Sequence, residues 1–92
     1  MEDFFEVGLR ERKATLGEKY VEKNLKEADE FTKPFQEAMT SWCWGFGWGD
    51  KSIDRKTRSM MNLAMIGALG KLNEWEIHCR GALKNGVSKE QI

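Results

Sequence analysis

The stretch from Asp54 to Gly70 constrains the fold more than any other part of this 92-residue chain. Asp54 is a good N-cap, and Gly70 stands where a helix would stop. Between them Met60, Met61, Leu63, Ala64, Met65, Ile66, Ala68 and Leu69 are apolar nearly all round. That pattern predicts a helix covered on several sides, the central core helix of its fold. The apolar run contains Asn62 and falls well short of the roughly 20 residues that cross a bilayer. No membrane-spanning helix is expected.

The remaining pattern is helical as well. Ala, Leu, Met, Glu and Lys dominate, β-branched runs are absent, and no Asn-Gly or Asp-Gly joins two alternating segments, so the fold class expected is all-α. From Asp3 to Leu16 the residues Phe4, Val7, Gly8, Ala14 and Leu16 make a modest apolar stripe among charges, a mostly exposed helix ended by Gly17. A short helical turn follows around Tyr20 to Leu25. Asp29 or Thr32 then starts a helix with Pro34 in its first turn, where the missing N–H costs nothing. Phe35, Ala38, Met39 and Trp42 form its apolar face.

Trp42 to Gly49 packs three of the four tryptophans among three glycines and reads as a buried aromatic turn. Asn73 with Glu76 matches a capping box, which predicts a helix from Glu74 to Asn85 ended by Gly86. Ser88 to Gln91 repeats the capping-box signature at the end of the sequence, so the chain is expected to stop inside an element, with C-terminal helices missing. A single domain over 1–92 is expected.

Fifteen Lys and Arg balance fifteen Asp and Glu. With zero net charge the long-range field that gathers nucleic acid or anionic lipid is missing, and any anion site must be local. Mean hydropathy of −0.63 and 33% charged residues describe a soluble globular chain. The N-terminus is acidic, then basic, without the apolar core of a secretory signal, which places the chain in the cytoplasm. Cys43, Cys79 and the single His78 match no familiar zinc spacing, so no metal is expected and the thiols read as small apolar residues.

Candidate chemistry starts with Glu74 and His78, i and i+4 on one helix, where a carboxylate can orient and charge an imidazole. The same pair also reads as simple helix stabilisation, Glu74 being favoured near the positive helix end. Arg55, Lys56 and Arg58 crowd the first turn of the Asp54–Gly70 helix, where the macrodipole repels cations. Arg55 and Lys56 read as surface charges paired with Asp50 or Asp54. Arg58, beside the apolar run, is the inward one and suits a carboxylate. The tryptophans could wall a planar ligand or fill the core; Met60, Met61 and Met65 read as core filler. Cys79 points about 100° away from His78, which argues against a thiolate–imidazole pair.

Thr57-Arg58-Ser59-Met60-Met61-Asn62-Leu63-Ala64-Met65, followed by Glu74-x-x-x-His78-x-Arg80-Gly81-Ala82-Leu83-x-Asn85-Gly86-Val87, closely resembles the 4-carboxymuconolactone decarboxylase family. Asp29-x-Phe31-x-x-Pro34-Phe35-Gln36-Glu37 and Cys43-Trp44-Gly45-x-x-Trp48 are similar to it too, so the likeness covers nearly the whole chain. The resemblance implies an alkylhydroperoxidase D-like (AhpD-like) helical fold and a homo-oligomer, trimer or hexamer. It further implies a decarboxylase without cofactor, acting on a small carboxylated lactone in aromatic-compound breakdown.

On that reading His78 donates a proton, Glu74 orients and charges it, and Arg58 binds a carboxylate or oxyanion. Trp44, Trp48, Met61 and Met65 are then the substrate-binding residues. The redox Cys-x-x-Cys of the peroxidase relatives is replaced here by Lys71 and Glu74, which excludes thiol peroxidase chemistry through that motif. The loop Gly49-Asp50-Lys51-Ser52 lacks the Pro-Gly usual in the decarboxylases. A family member acting only as a binding module is the alternative, since a fold does not fix a function, and peroxide reduction through Cys43 or Cys79 is a third, disfavoured one.

Overall fold

Five α-helices and one π-helical segment form the regular structure of residues 3–92, the residues described by a computed structural model of the chain. They are α1 (Phe4–Leu16), α2 (Glu18–Glu27), α3 (Lys33–Met39), the π segment (Thr40–Trp48), α4 (Arg55–Leu69) and α5 (Leu72–Lys84). The fold is all-α, as the sequence predicts, and consistent with an alkylhydroperoxidase D-like helical domain. Two compact units are present, one ending at Lys51 and one formed by Ser52–Ile92.

In the first unit α1 packs on the π segment. Asp3 caps α1 by accepting from Glu6 N at 2.9 Å, and Gly17, at φ 99°, closes it. The buried positions of α1 are Gly8, Glu11, Arg12 and Thr15. They recur at i, i+3, i+4 and i+7, one helix face. The expectation of a mostly exposed α1 with an apolar stripe is therefore corrected. Its buried face is polar, and hydropathy cannot reveal a face whose burial rests on hydrogen bonds and close backbone approach.

A Cβ on Gly8 would fall on the Thr40 carbonyl oxygen, and one on Gly45 on the Phe4 carbonyl oxygen. Only glycine at these two positions lets the two backbones meet. The expected aromatic turn is instead helical. Its buried residues Thr40, Trp44, Gly45 and Trp48 recur at four- and five-residue spacing, which suits the wide i→i+5 turn. Trp44 and Trp48 are buried with ring centroids 4.5 Å apart, while Trp42 and Phe46 stay exposed and pack on Phe4 at 5.8 and 5.5 Å.

Two further expectations change in this unit. The turn near Tyr20 to Leu25 is a full helix, α2, with Val21 buried. Helix α3 starts after Thr32 with Pro34 in its first turn, as read, but none of its residues is buried, and Phe35 and Trp42 are exposed. The Asp29 side chain accepts from Phe31 N and Thr32 N just ahead of it, at 3.0 and 2.8 Å.

In the second unit α4 and α5 pack on one another across the turn at Gly70, whose φ of 71° stops α4. Asp54 Oδ1 accepts from Thr57 N at 2.8 Å, the cap the sequence predicts. The core is Leu63, Ala82 and Val87, with Trp75 and Cys79 packed against it. Trp75 Nε1 donates to the Leu63 carbonyl at 3.2 Å, and Asn85 Nδ2 donates to the buried Ser59 hydroxyl at 3.0 Å. Leu63→Ala should destabilise this unit by about 2–5 kcal/mol, read as a lowered denaturant midpoint with the slope unchanged.

Helix α4 is not a central core helix within the chain. Ser59 and Leu63 are its buried residues, and Met60, Met61, Met65 and Leu69 are exposed, so the methionines are not core filler either. An all-apolar pattern says that faces need covering, not that the same chain covers them. The Asn73 capping box is also corrected: α5 starts at Leu72 after Lys71, and Glu76 pairs with Arg80 at 2.7 Å instead. The Ser88 capping box forms as read, with Ser88 N donating to Gln91 Oε1 at 2.9 Å and Gln91 N donating to Ser88 Oγ at 3.1 Å. No helix among the described residues is long and apolar enough to cross a membrane.

Candidate functional site

Three of the residues singled out from sequence, Arg58, Glu74 and His78, lie in the second unit. Glu74 sits in the first turn of α5 and His78 one turn later. The i, i+4 spacing puts both on one face of that helix. His78 is half-buried, and Glu74 is exposed. Burial pushes the imidazole pKa below its ordinary value, and the Glu74 carboxylate acts on it in the opposite, raising direction. The expectation that Glu74 charges His78 therefore has the right sign, but desolvation outweighs it.

Arg58 stands at the start of α4, half-buried, with Nε donating to the Ile53 carbonyl at 3.0 Å. That bond fixes the stem of the guanidinium against the loop before the helix. Arg58, Met61 and Met65 follow at i, i+3 and i+7, so one face of α4 carries a cation followed by two exposed thioethers. A cation flanked by apolar surface is suited to a carboxylate attached to a carbon skeleton.

Trp44 and Trp48 belong to the first unit, where they are 4% and 6% exposed and pack on one another with ring planes tilted by 34°. They are core residues there. Cys79 packs against the Leu63 core, and both cysteines are free thiols. Burial raises the Cys43 pKa, with Arg12 opposing, so Cys43 is not an activated nucleophile. Among the described residues no three His, Cys, Asp or Glu side chains gather as metal ligands.

A groove of about 230 Å³ in the second unit runs between Met60, Leu63, Ala64, Trp75, Val87 and Ile92. Arg58, Glu74 and His78 do not line it. Sequence reasoning did not anticipate Arg12, which is buried on α1 and donates from Nη1 to Thr40 Oγ1 at 3.1 Å. No apolar periodicity marks it, and only its position on the Gly8 and Thr15 face could have shown it.

The model of the carboxymuconolactone decarboxylase family matches residues 33–92. Nitrosuccinic acid decarboxylase npaB of Metarhizium robertsii is 42% identical over 88 residues, covering 96% of this chain and 62% of that protein. 4-Carboxymuconolactone decarboxylase of Acinetobacter baylyi is 34% identical over 91 residues, covering 99% of this chain and 68% of that protein. The chain thus spans about two thirds of the length of these relatives. No solved structure matches it significantly.

Proposed function

The chain belongs to the carboxymuconolactone decarboxylase family, and we propose that it is a cofactor-independent decarboxylase of a small carboxylated substrate, 4-carboxymuconolactone or a compound with the same electronic layout. The observation supporting this reading most is the half-buried His78 one turn from Glu74 within the family-matched region. The substrates named by the two relatives share that layout. Each has a carboxylate that can leave its electron pair to a sink, an unsaturated lactone carbonyl or a nitro group, and each has a second carboxylate.

In the lactone the bond to the γ-carboxylate breaks, CO₂ departs, and the electron pair moves through the C=C into the lactone carbonyl. The dienolate then takes one proton at its α carbon. The substrate is its own electron sink, so the protein needs to hold a carboxylate, stabilise the developing oxyanion and return a proton. Arg58 binds a carboxylate or the oxyanion, with Met61 and Met65 offering apolar surface to the carbon skeleton. His78 donates the proton and recovers it from solvent, and Glu74 orients the ring. Trp44 and Trp48 serve the first unit's core in this account, and a role as substrate wall is not needed.

Purified chain incubated with 4-carboxymuconolactone and with nitrosuccinate in the presence of a chelator should release one CO₂ per substrate consumed from at least one of them. A folded protein that releases none from either contradicts the decarboxylase reading. Replacing both Cys43 and Cys79 by Ser should leave turnover within about twofold, since neither thiol takes part.

The His78 pKa gives a pH signature. Protonated imidazole is the competent acid, and burial makes it scarce near neutrality. The kcat profile should therefore rise as pH falls toward the histidine pKa. Glu74→Gln removes a charge that raises this pKa, so the rising limb should move to lower pH. Stability runs the other way: the folded state disfavours the protonated ring, so stability present above the ordinary value of 6.5 is lost as pH falls below it. Rates are to be compared only where circular dichroism is unchanged.

The exposed Leu69 of α4 and Leu72 of α5 further support a homo-oligomer in which these side chains are covered, and we propose a trimer or hexamer. Light scattering should give a multiple of the 10.6 kDa chain mass at micromolar concentration, and a stable monomer contradicts this.

A further inference from the structure

Arg12 brings a full positive charge into the interior of the first unit, where it is 3% exposed. Its Nη1 donates to Thr40 Oγ1 at 3.1 Å, and that hydroxyl donates onward to the Gln36 carbonyl at 2.8 Å. Nε has no hydrogen-bond partner among the described residues. Among the described residues the side chains acting on the charge are Tyr20 and Cys43. Glu11, the neighbouring buried carboxylate, is turned about 100° around the helix and accepts from Lys51 Nζ at 2.6 Å. A buried guanidinium facing one neutral hydroxyl is costly unless an anion joins it.

Thr40 occupies Nη1, and the buried, unpartnered Nε lies on the other edge of the fork, the edge that takes a carboxylate side-on. We propose that Arg12 is a carboxylate-binding group, pairing through this edge with a small carboxylate anion while Thr40 holds the guanidinium plane. The planar, two-oxygen shape matches the fork, and one negative charge balances the one positive charge of the buried guanidinium. Tyr20 and Cys43, which act electrostatically on Arg12, are both exposed, and theirs is the side from which the proposed ligand would enter. The inference rests on burial and hydrogen bonding within the first unit and does not depend on the decarboxylase reading.

The test is binding without turnover, using the full chain and sodium acetate or succinate against sodium chloride at equal ionic strength. Thermal midpoint and tryptophan fluorescence should both shift saturably with the carboxylates and not with chloride. Arg12→Gln, checked for folding by circular dichroism, should abolish the saturable shift, and Arg12→Lys, which keeps charge but loses the fork, should weaken apparent affinity at least about tenfold. Equal behaviour of the wild-type chain in carboxylate and chloride overturns the proposal without recourse to any variant. So does a shift that survives Arg12→Gln or is lost in Arg58→Gln instead, which assigns the anion to α4.

Discussion

His78→Ala should lower kcat for CO₂ release by about 10²–10⁴, the usual contribution of a positioned general acid, with a smaller change in KM. The size follows from what the ring is asked to do: without it, the dienolate waits for a proton from water at a site not built to supply one. Glu74→Gln should cost less, because an amide still orients the imidazole while no longer raising its pKa. Arg58→Lys keeps a charge but not the fork, so its effect should appear chiefly in KM. Steady-state kinetics on the three folded variants check the order. A well-folded His78→Ala protein with a near wild-type rate makes the histidine structural.

Gly8→Val should take the first unit out of its folded state, a loss of at least about 3 kcal/mol, beyond the usual overpacking range because backbone rather than side chain stands in the way. Any Cβ at Gly8 meets the Thr40 carbonyl oxygen and Gly45 N, groups fixed in the π segment that cannot rotate aside. Gly70→Ala is the contrast. Nothing lies within 4 Å of its Cβ position, so only the left-handed φ of 71° opposes the substitution, and about 1–2 kcal/mol is the expected loss. Thermal unfolding followed by circular dichroism separates the two. Equal midpoints for Gly8→Val and wild type would show that α1 and the π segment are not held at glycine contact.

Local signals were the legible part of this sequence. Asp54 and Gly70 bound α4 because a capping carboxylate and a left-handed glycine act within one turn, and the Ser88 to Gln91 box forms for the same reason. The Asn73 box failed because the Gly70 turn lets α5 begin at Leu72, so Asn73 and Glu76 already lie inside the helix. Burial was legible only where it is apolar. Glu11, Arg12 and Thr15 are buried by contact with a distant segment, which no hydrophobic period reports, and the wide turn from Thr40 to Trp48 has neither a helical nor a strand period. Conversely Met61 and Met65 look like core and are exposed, since composition fixes the need for cover and not its source. For the candidate site, the Glu74 and His78 pairing follows from spacing alone, whereas the desolvation that dominates the His78 pKa depends on packing.

The proposed chemistry turns on a proton returned by the protein itself, and decarboxylation of the lactone in D₂O tests that directly. The dienolate carbon gains one deuterium beside one existing hydrogen, so the product centre becomes CHD and its configuration records which face received the deuterium. With His78 as donor, the product examined by NMR before exchange should be a single CHD stereoisomer. An equal mixture of the two would mean that the dienolate is protonated from solvent on both faces, and would contradict the role given to His78.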